Sequence, residues 1–275
     1  MVTLSAFADE ISSDLTEQMD VLESVGIKHI EFRGVWHKNV LDLTDAELTQ
    51  VRDALKARGF KLSAIGSPIG KISITDDFEQ HLARFERAIH AAHFFDTKYI
   101  RIFSFFIPKG ENPADYRDEV ISRMQELVRR ASAAGVTLLH ENEKDIYGDI
   151  TERCLDILET CASSNLRCAF DPANFVQCGV KPFTQAFAPL EPYCEYIHIK
   201  DALFAGNKVV PVGKGDGEVK AVLSAMFAKG YDGFLSIEPH LASAGTYAGF
   251  SGPDLFRVAA NALKDMLNEL GQSWE

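Results

Sequence analysis

No two cysteines in this chain are spaced as a metal-binding or redox pair. The five, Cys154, Cys161, Cys168, Cys178 and Cys194, are odd in number and contain no C-x-x-C; neither a zinc module nor a disulfide framework fits them. Reduced thiols in a cytoplasmic protein are the expectation. Runs rich in Lys or Arg are also missing, and 40 acidic against 28 basic side chains leave a formal net charge of −12. A partner made of nucleic acid is therefore not expected. No apolar run approaches the ~18 residues of a membrane span, and the opening MVTLSAFADE lacks the basic and apolar segments of a signal peptide. The glycine-rich turn of a dinucleotide fold is absent too: FADEISSDL, after the first strand-like run, holds no glycine.

What the chain does have is alternation. Apolar residues make up 46% of its 275 positions, enough for a sizeable core. Eight β-rich runs recur along it: TLSAFA from Thr3, HIEFR from His29, LSAIGS from Leu62, YIRIFS from Tyr99, VTLLHE from Val136, LRCAFD from Leu166, YIHIKD from Tyr196 and FLSIEP from Phe234. Helical patterns fill the gaps. In residues 44–59, Thr44 and Glu47 form a capping box, Leu48, Val51 and Leu55 mark one apolar face, and Gly59 stops the helix. Gly26, Gly135 and Gly230 stop others, and a last helix is expected from about Asp254. Strict strand–helix alternation implies a parallel sheet with right-handed crossovers. Eight units in 275 residues leave about 34 for each, the repeat of a (β/α)8 TIM barrel. No linker-like stretch divides the chain, so residues 1–275 are read as a single α/β domain.

In such barrels functional groups sit where strands end and loops begin. The last four strand runs reach Glu141, Asp171, His198 and Glu238, separated by 30, 27 and 40 residues. Side chains alternate along a strand, and counting back from each residue places all four on the inward face. Adjacent strands lie about 4.8 Å apart, so three carboxylates and one imidazole would converge. Carboxylates packed together raise one another's pKa, a conflict that one divalent cation would remove. Three oxygens and a nitrogen suit Mn²⁺, Mg²⁺, Co²⁺ or Zn²⁺ without choosing among them.

These residues carry a resemblance. HENE, FDPANF, YIHIKDA and SIEPH at the last four strands, with FADEIS and HIEFRG at the first two, resemble the xylose isomerase-like barrels over nearly the whole chain. The resemblance is closer to their sugar phosphate isomerase/epimerase branch. It implies Glu141, Asp171, His198 and Glu238 as metal ligands, with Glu141 and Glu238 acting as acid and base on opposite faces of a sugar. One departure stands out: where many relatives have D-x-x-H, this chain has Asn174, which can bond a hydroxyl but cannot shuttle a proton.

A metal chelated by a carbonyl and a neighbouring hydroxyl would acidify the adjacent C–H, and two glutamates could then move the proton. The outcome is an epimer, an aldose–ketose isomer or, if a β-hydroxyl leaves, a dehydration. The function expected is a metal-dependent isomerase or epimerase of a sugar, sugar phosphate or related polyol ketone. An inosose dehydratase-like lyase is the runner-up; an endonuclease IV-like hydrolase and a sugar-binding module without activity rank lower. Further contacts are expected from Lys200 (a substrate oxygen or phosphate), Arg101 (an anionic substrate), Asn174, Glu143, His240 and Trp36, the last with His37 as an aromatic wall. Asp201 is expected to orient Lys200 or His198, Glu31 to pair with Arg33, and His140 to be structural. The partner expected is a small carbohydrate; the oligomeric state is left open, a homo-oligomer included.

Overall fold

The computed structural model describes residues 1–244 and 249–275. Among these, eight parallel strands close into one barrel: β1 (Thr3–Ala6), β2 (His29–Phe32), β3 (Lys61–Ile65), β4 (Tyr99–Ile102), β5 (Thr137–Glu141), β6 (Leu166–Phe170), β7 (Cys194–Ile199) and β8 (Phe234–Ile237). Each strand lies between its sequence neighbours, and β8 closes on β1 with Thr3 opposite Phe234 and Ala6 opposite Ile237. The crossovers run through α1 (Leu15–Ser24), α2 (Asp45–Ala57), α3 (Phe78–Phe94), α4 (Arg117–Ala134), α5 (Thr151–Cys161), α6 (Pro172–Gln177), α7 (Val219–Ala228) and α8 (Gly252–Glu269). The crossover after β6 is the least regular: α6 is followed by a π-helical turn, Pro182–Phe187, and short helical turns up to Tyr193.

Local chemistry sets several of these boundaries. The Thr44 hydroxyl accepts from the Glu47 N–H at 3.3 Å while the Glu47 carboxylate accepts from the Thr44 N–H at 2.8 Å, the capping box read from the sequence. The last helix begins two residues earlier than Asp254, with Pro253 in its first turn, where a missing N–H costs nothing. No helix among the described residues is long and apolar enough to cross a membrane.

The core has two layers. The larger fills the space between strands and helices and takes the outward residues of each strand, such as Ile100, Leu138, Phe170, Ile197 and Leu235. The smaller plugs the barrel: Ala64, Tyr99, Leu139, Ala169 and Tyr196, with Phe234 beside them. The buried Tyr196 hydroxyl joins Ser63 at 2.8 Å, and Ser63 joins Ser5 at 2.5 Å, so this polar tip is satisfied. Tyr196 is the floor on which His198 stands, their rings edge-on with centroids 5.7 Å apart.

Above the floor, loops extend the barrel wall. The segment after β3 runs beside the continuation of β4: Phe103 N–H donates to Ile69 O at 2.8 Å and Phe105 N–H to Gly70 O at 2.9 Å. Gly70 carries φ +87°, and a Cβ there would lie 2.0 Å from the Phe103 carbonyl oxygen. The Gly70 N–H donates to His81 Nε2 at 2.8 Å, which requires a neutral ring. Burial, with Arg84 and Arg123 nearby, pulls the His81 pKa down to about 4.

Two outcomes follow from this loop. Gly70→Ala must either move the loop off β4 or hold a strained backbone, and should cost at least about 2 kcal/mol; an unchanged denaturant midpoint would show that the loop yields freely. His81 has a folded pKa below its ordinary 6.5, so the unfolded state binds more protons as pH falls through that window. Its contribution is present above about 6.5 and lost as the pH drops toward about 4. The decline in unfolding midpoint from pH 7 to pH 5 should therefore be shallower in His81→Gln; parallel curves would remove His81 from the linkage.

Candidate functional site

Four side chains from consecutive strand ends meet at the barrel mouth. Glu141 is the last residue of β5, Asp171 follows β6, His198 lies within β7 and Glu238 follows β8. All are buried, and one ligand-capable atom of each lies within 4.8 Å of the other three. His198 Nδ1 stands 3.2 Å from Glu141 Oε1, 3.8 Å from Asp171 Oδ2 and 3.9 Å from Glu238 Oε2.

Local structure aims each group. Asp171 is the N-cap of α6: its Oδ1 accepts from the Asn174 N–H at 2.8 Å, and Pro172 fixes the first turn. That leaves Oδ2 facing the cluster. Asn142 ties the ends of β5 and β6 together, accepting from Asp171 N–H at 3.0 Å and donating to Asp171 O at 2.9 Å. Asn174 donates to Glu141 Oε1 at 3.0 Å and to Asn142 O at 2.9 Å. Its amide thus positions Glu141 and sits where sequence reasoning expected a substrate contact.

Three permanent cations surround the carboxylates. Lys200 Nζ lies 2.8 Å from Asp171 Oδ2 and 3.0 Å from Glu238 Oε2. Arg101 Nη1 is 3.0 Å from Glu141 Oε2 and 3.8 Å from Glu238 Oε1. Arg33 donates from Nη1 to Glu238 Oε1 at 3.0 Å and from Nε to Asp9 Oδ2 at 2.7 Å. Arg33 therefore does not pair with Glu31, as the shared strand face had suggested. The imidazole claims Glu31 instead, with His198 Nε2 3.1 Å from Glu31 Oε2.

That bond decides the chemistry of the ring. With Nε2–H given to Glu31, the Nδ1 lone pair faces Glu141, Asp171 and Glu238. Buried Nδ1 makes no hydrogen bond, while Asp171 Oδ2 is met by the Lys200 ammonium. Such a lone pair among carboxylates is repulsive unless a proton or a cation lies between them. Without a cation the proton fills that role: burial opposes it, but Glu141 and Glu31 outweigh burial and hold the His198 pKa well above its ordinary value. Burial likewise disfavours ionised Glu141, yet His198 and Arg101 hold its pKa below the usual range. Glu238 is held low against burial by Lys200 and His240. Asp171, where burial wins over Lys200, is pushed up to about 7. Three carboxylate oxygens and an imidazole nitrogen backed by Glu31 could hold a divalent metal.

The remaining expected contacts fall in several places. Lys200 is buried inside the cluster. Glu143 pairs with Lys71 at 3.2 Å. His240 Nε2 lies 3.0 Å from Glu10 Oε1 and 3.4 Å from Glu238 Oε1, and Glu10 also accepts the His240 N–H at 2.8 Å. His140 is buried against Ser104, 3.0 Å away, its pKa drawn down to about 4 by burial. Asp201 orients neither Lys200 nor His198. Its carboxylate accepts from the N–H groups of Ala202, Gly213, Gly215 and Gly217 at 2.8–3.0 Å, so it builds the glycine-rich loop 212–218. Trp36 packs against the core and does not line the adjoining cavity; His37 does. Both residues form the tight turn between the paired segments Gly34–Val35 and Lys38–Asn39, with positive φ (53° and 59°). Glu31, Arg33, Glu10, Asp9 and Asn142 were given no place at the site by sequence reasoning. Parity on β2 did flag Glu31 as inward, but its partner comes from a strand 167 residues away.

Comparisons with known proteins place the chain in a family. The chain is 23% identical over 192 residues to the probable L-ribulose-5-phosphate 3-epimerase of Mycoplasma pneumoniae, covering 68% of this chain and 62% of that protein. It is 23% identical over 177 residues to the 3-dehydroshikimate dehydratase of Bacillus anthracis, covering 64% and 62%. It thus spans about three-fifths of the length of these relatives. Among solved structures, the IOLI protein with a bound zinc atom superposes with a TM-score of 0.77 at 17% identity, covering 98% of this chain and 99% of that one. A family model described as the xylose isomerase-like TIM barrel matches residues 19–266, and the chain belongs to that family.

Proposed function

We propose that this protein is a divalent-metal-dependent isomerase or epimerase of a sugar, sugar phosphate or related polyol ketone. The observation that carries the reading is the pairing of two ionised glutamates, Glu141 and Glu238, around one imidazole whose Nδ1 faces them. Glu141, Asp171, His198 and Glu238 would hold the ion. When bound, it would polarise a substrate carbonyl and lower the pKa of the neighbouring C–H.

The chain's own groups do the rest. One glutamate takes the proton from the carbon beside the carbonyl, giving an enediolate; the same carboxyl, now protonated, can return it to the adjacent carbon, and return to the opposite face requires the other glutamate first to take a proton from solvent. Asn174 and Arg101 fix the rotamer of Glu141, and Arg33 and Lys200 fix that of Glu238. Glu31 keeps Nε2 protonated and so directs Nδ1 inward. The Mycoplasma relative is named as an epimerase and supports this reading. Dehydration is the second reading. It is supported by the Bacillus relative and by His240, 3.4 Å from Glu238, as a source of the proton that a departing hydroxyl needs.

Two outcomes test this function. With the metal-loaded protein, a screen of ketoses, inososes and their phosphates should find one that takes up solvent deuterium at carbon. Glu141→Gln and Glu238→Gln should each slow that uptake by about 10²–10⁴-fold; full exchange in either variant would remove it from the proton path. Glu31→Gln should weaken metal retention about 10–100-fold, read as metal content after graded chelation. Retention equal to the native protein would show that His198 needs no such support.

A further inference from the structure

A cavity of about 680 Å³ opens beside the cluster, over the loops that follow β1, β2 and β3. None of Glu141, Asp171, His198 or Glu238 lines it, but Arg33 and Arg101, which bond two of them, do. We propose that this cavity receives an oxyanion of the substrate, a carboxylate or a phosphate ester, clamped by Arg33, Arg101 and Lys71. The inference rests on the reading of Glu141 and Glu238 as the groups that move the proton.

Three cations form a row along the cavity wall. Arg33 stacks on the Phe7 ring at 4.7 Å; Arg101 lies over the same ring at 5.0 Å and over Phe103 at 4.7 Å; Lys71 Nζ sits 4.2 Å from the Phe103 centroid. Their side chains are only 6%, 4% and 8% exposed. Like charges so close and so dry repel unless something between or before them compensates. The ring faces supply part of that. Glu238, Glu141 and Glu143 supply more, but these carboxylates do not line the cavity. The cavity therefore meets the cationic side of these three pairs; Arg33 is also paired with Glu10 at 3.8 Å and with Asp9 at 2.7 Å, and of these two only Asp9 faces the cavity. Lys38 adds to the cationic side, and among the described lining residues only Asp9 and Glu17 are acidic.

A further detail points the same way. Arg101 Nε is buried and makes no hydrogen bond, although Nη2 is fixed by the carbonyls of Gly66 and Ser67 at 3.3 and 3.4 Å. A guanidinium edge held in place with a spare donor suits an oxyanion, which accepts from several N–H groups at once. Asp9 Oδ1, also buried without a partner, would accept a neighbouring hydroxyl. Glu141 and Glu238 are also the groups placed to hold a cation. Once they do, they neutralise the arginines less, and the pull on an anion in the cavity grows.

Calorimetric titration of the metal-loaded protein tests the clamp, with inorganic phosphate, D-gluconate and neutral D-fructose as probes. Phosphate or gluconate should bind, more weakly as salt rises, and the better of the two names the oxyanion. Lys71→Gln should weaken that binding at least tenfold, and Arg33→Lys, which keeps the charge that Glu238 needs but loses the fork, should weaken it as well. D-Fructose binding as tightly as either anion, or anion binding untouched in both variants, would overturn the proposal. Deuterium uptake separates the two readings. Exchange confined to neutral ketoses keeps the isomerase and refutes the clamp. Anion binding lost in Lys71→Gln, with no exchange by any substrate, keeps the clamp and refutes the isomerase.

Discussion

Charge compensation inside a closed barrel is the constraint on which the rest of this structure depends. Among the described residues, six carboxylates, from Asp9, Glu10, Glu31, Glu141, Asp171 and Glu238, crowd the mouth, and only Arg33, Arg101 and Lys200 answer them with permanent charge. The two histidines in the group, His198 and His240, are both driven toward the protonated form. Burying so many ions costs stability, and removing one partner of a buried pair typically costs several kcal/mol. A fold does not assemble such a site for its own stability. The carboxylates outnumber the permanent cations around them, and a divalent cation held by Glu141, Asp171, Glu238 and Nδ1 would offset that excess.

The barrel makes this arrangement possible by separating two jobs. The Tyr99, Leu139 and Tyr196 layer closes the interior and bears the packing. One layer above, Arg101, Glu141 and His198 occupy inward positions on the same strands, where packing no longer demands apolar groups. The loops then supply what strands cannot. The turn after β2 carries Arg33 across to Glu238, and the loop after β3, held to β4 through Ile69 and Gly70, carries Lys71 to Glu143 and the cavity. Asp201 spends its carboxylate on four backbone N–H groups, a structural task one residue away from Lys200, whose ammonium enters the cluster.

Much of this was legible before any coordinates. The fold follows from alternating periodicities, and the capping box at Thr44 fixed a boundary because both of its bonds are local. Convergence of Glu141, Asp171, His198 and Glu238 was readable because strand parity and strand-end position are properties of short segments. Roles were harder. Asn174 was visible as an unusual residue, yet its attachment to Glu141 depends on how the first turn of α6 leans over β5. His240 was visible as a neighbour of Glu238, but its second partner, Glu10, lies 230 residues away. Trp36 was a reasonable sugar platform until its packing against the core was known.

The amino-acid sequence by itself determined the eight-fold strand–helix repeat and which polar residues face the barrel axis, since both arise from interactions within a few residues of one another. Only the tertiary structure decided which charge answers which. Closure of the barrel brings Glu31 to His198, Arg33 to Glu238 and Arg101 to Glu141, and it sets three cations along two phenylalanine rings. Electrostatic partners are chosen by distance in space and by burial, and neither quantity exists until the chain has closed on itself.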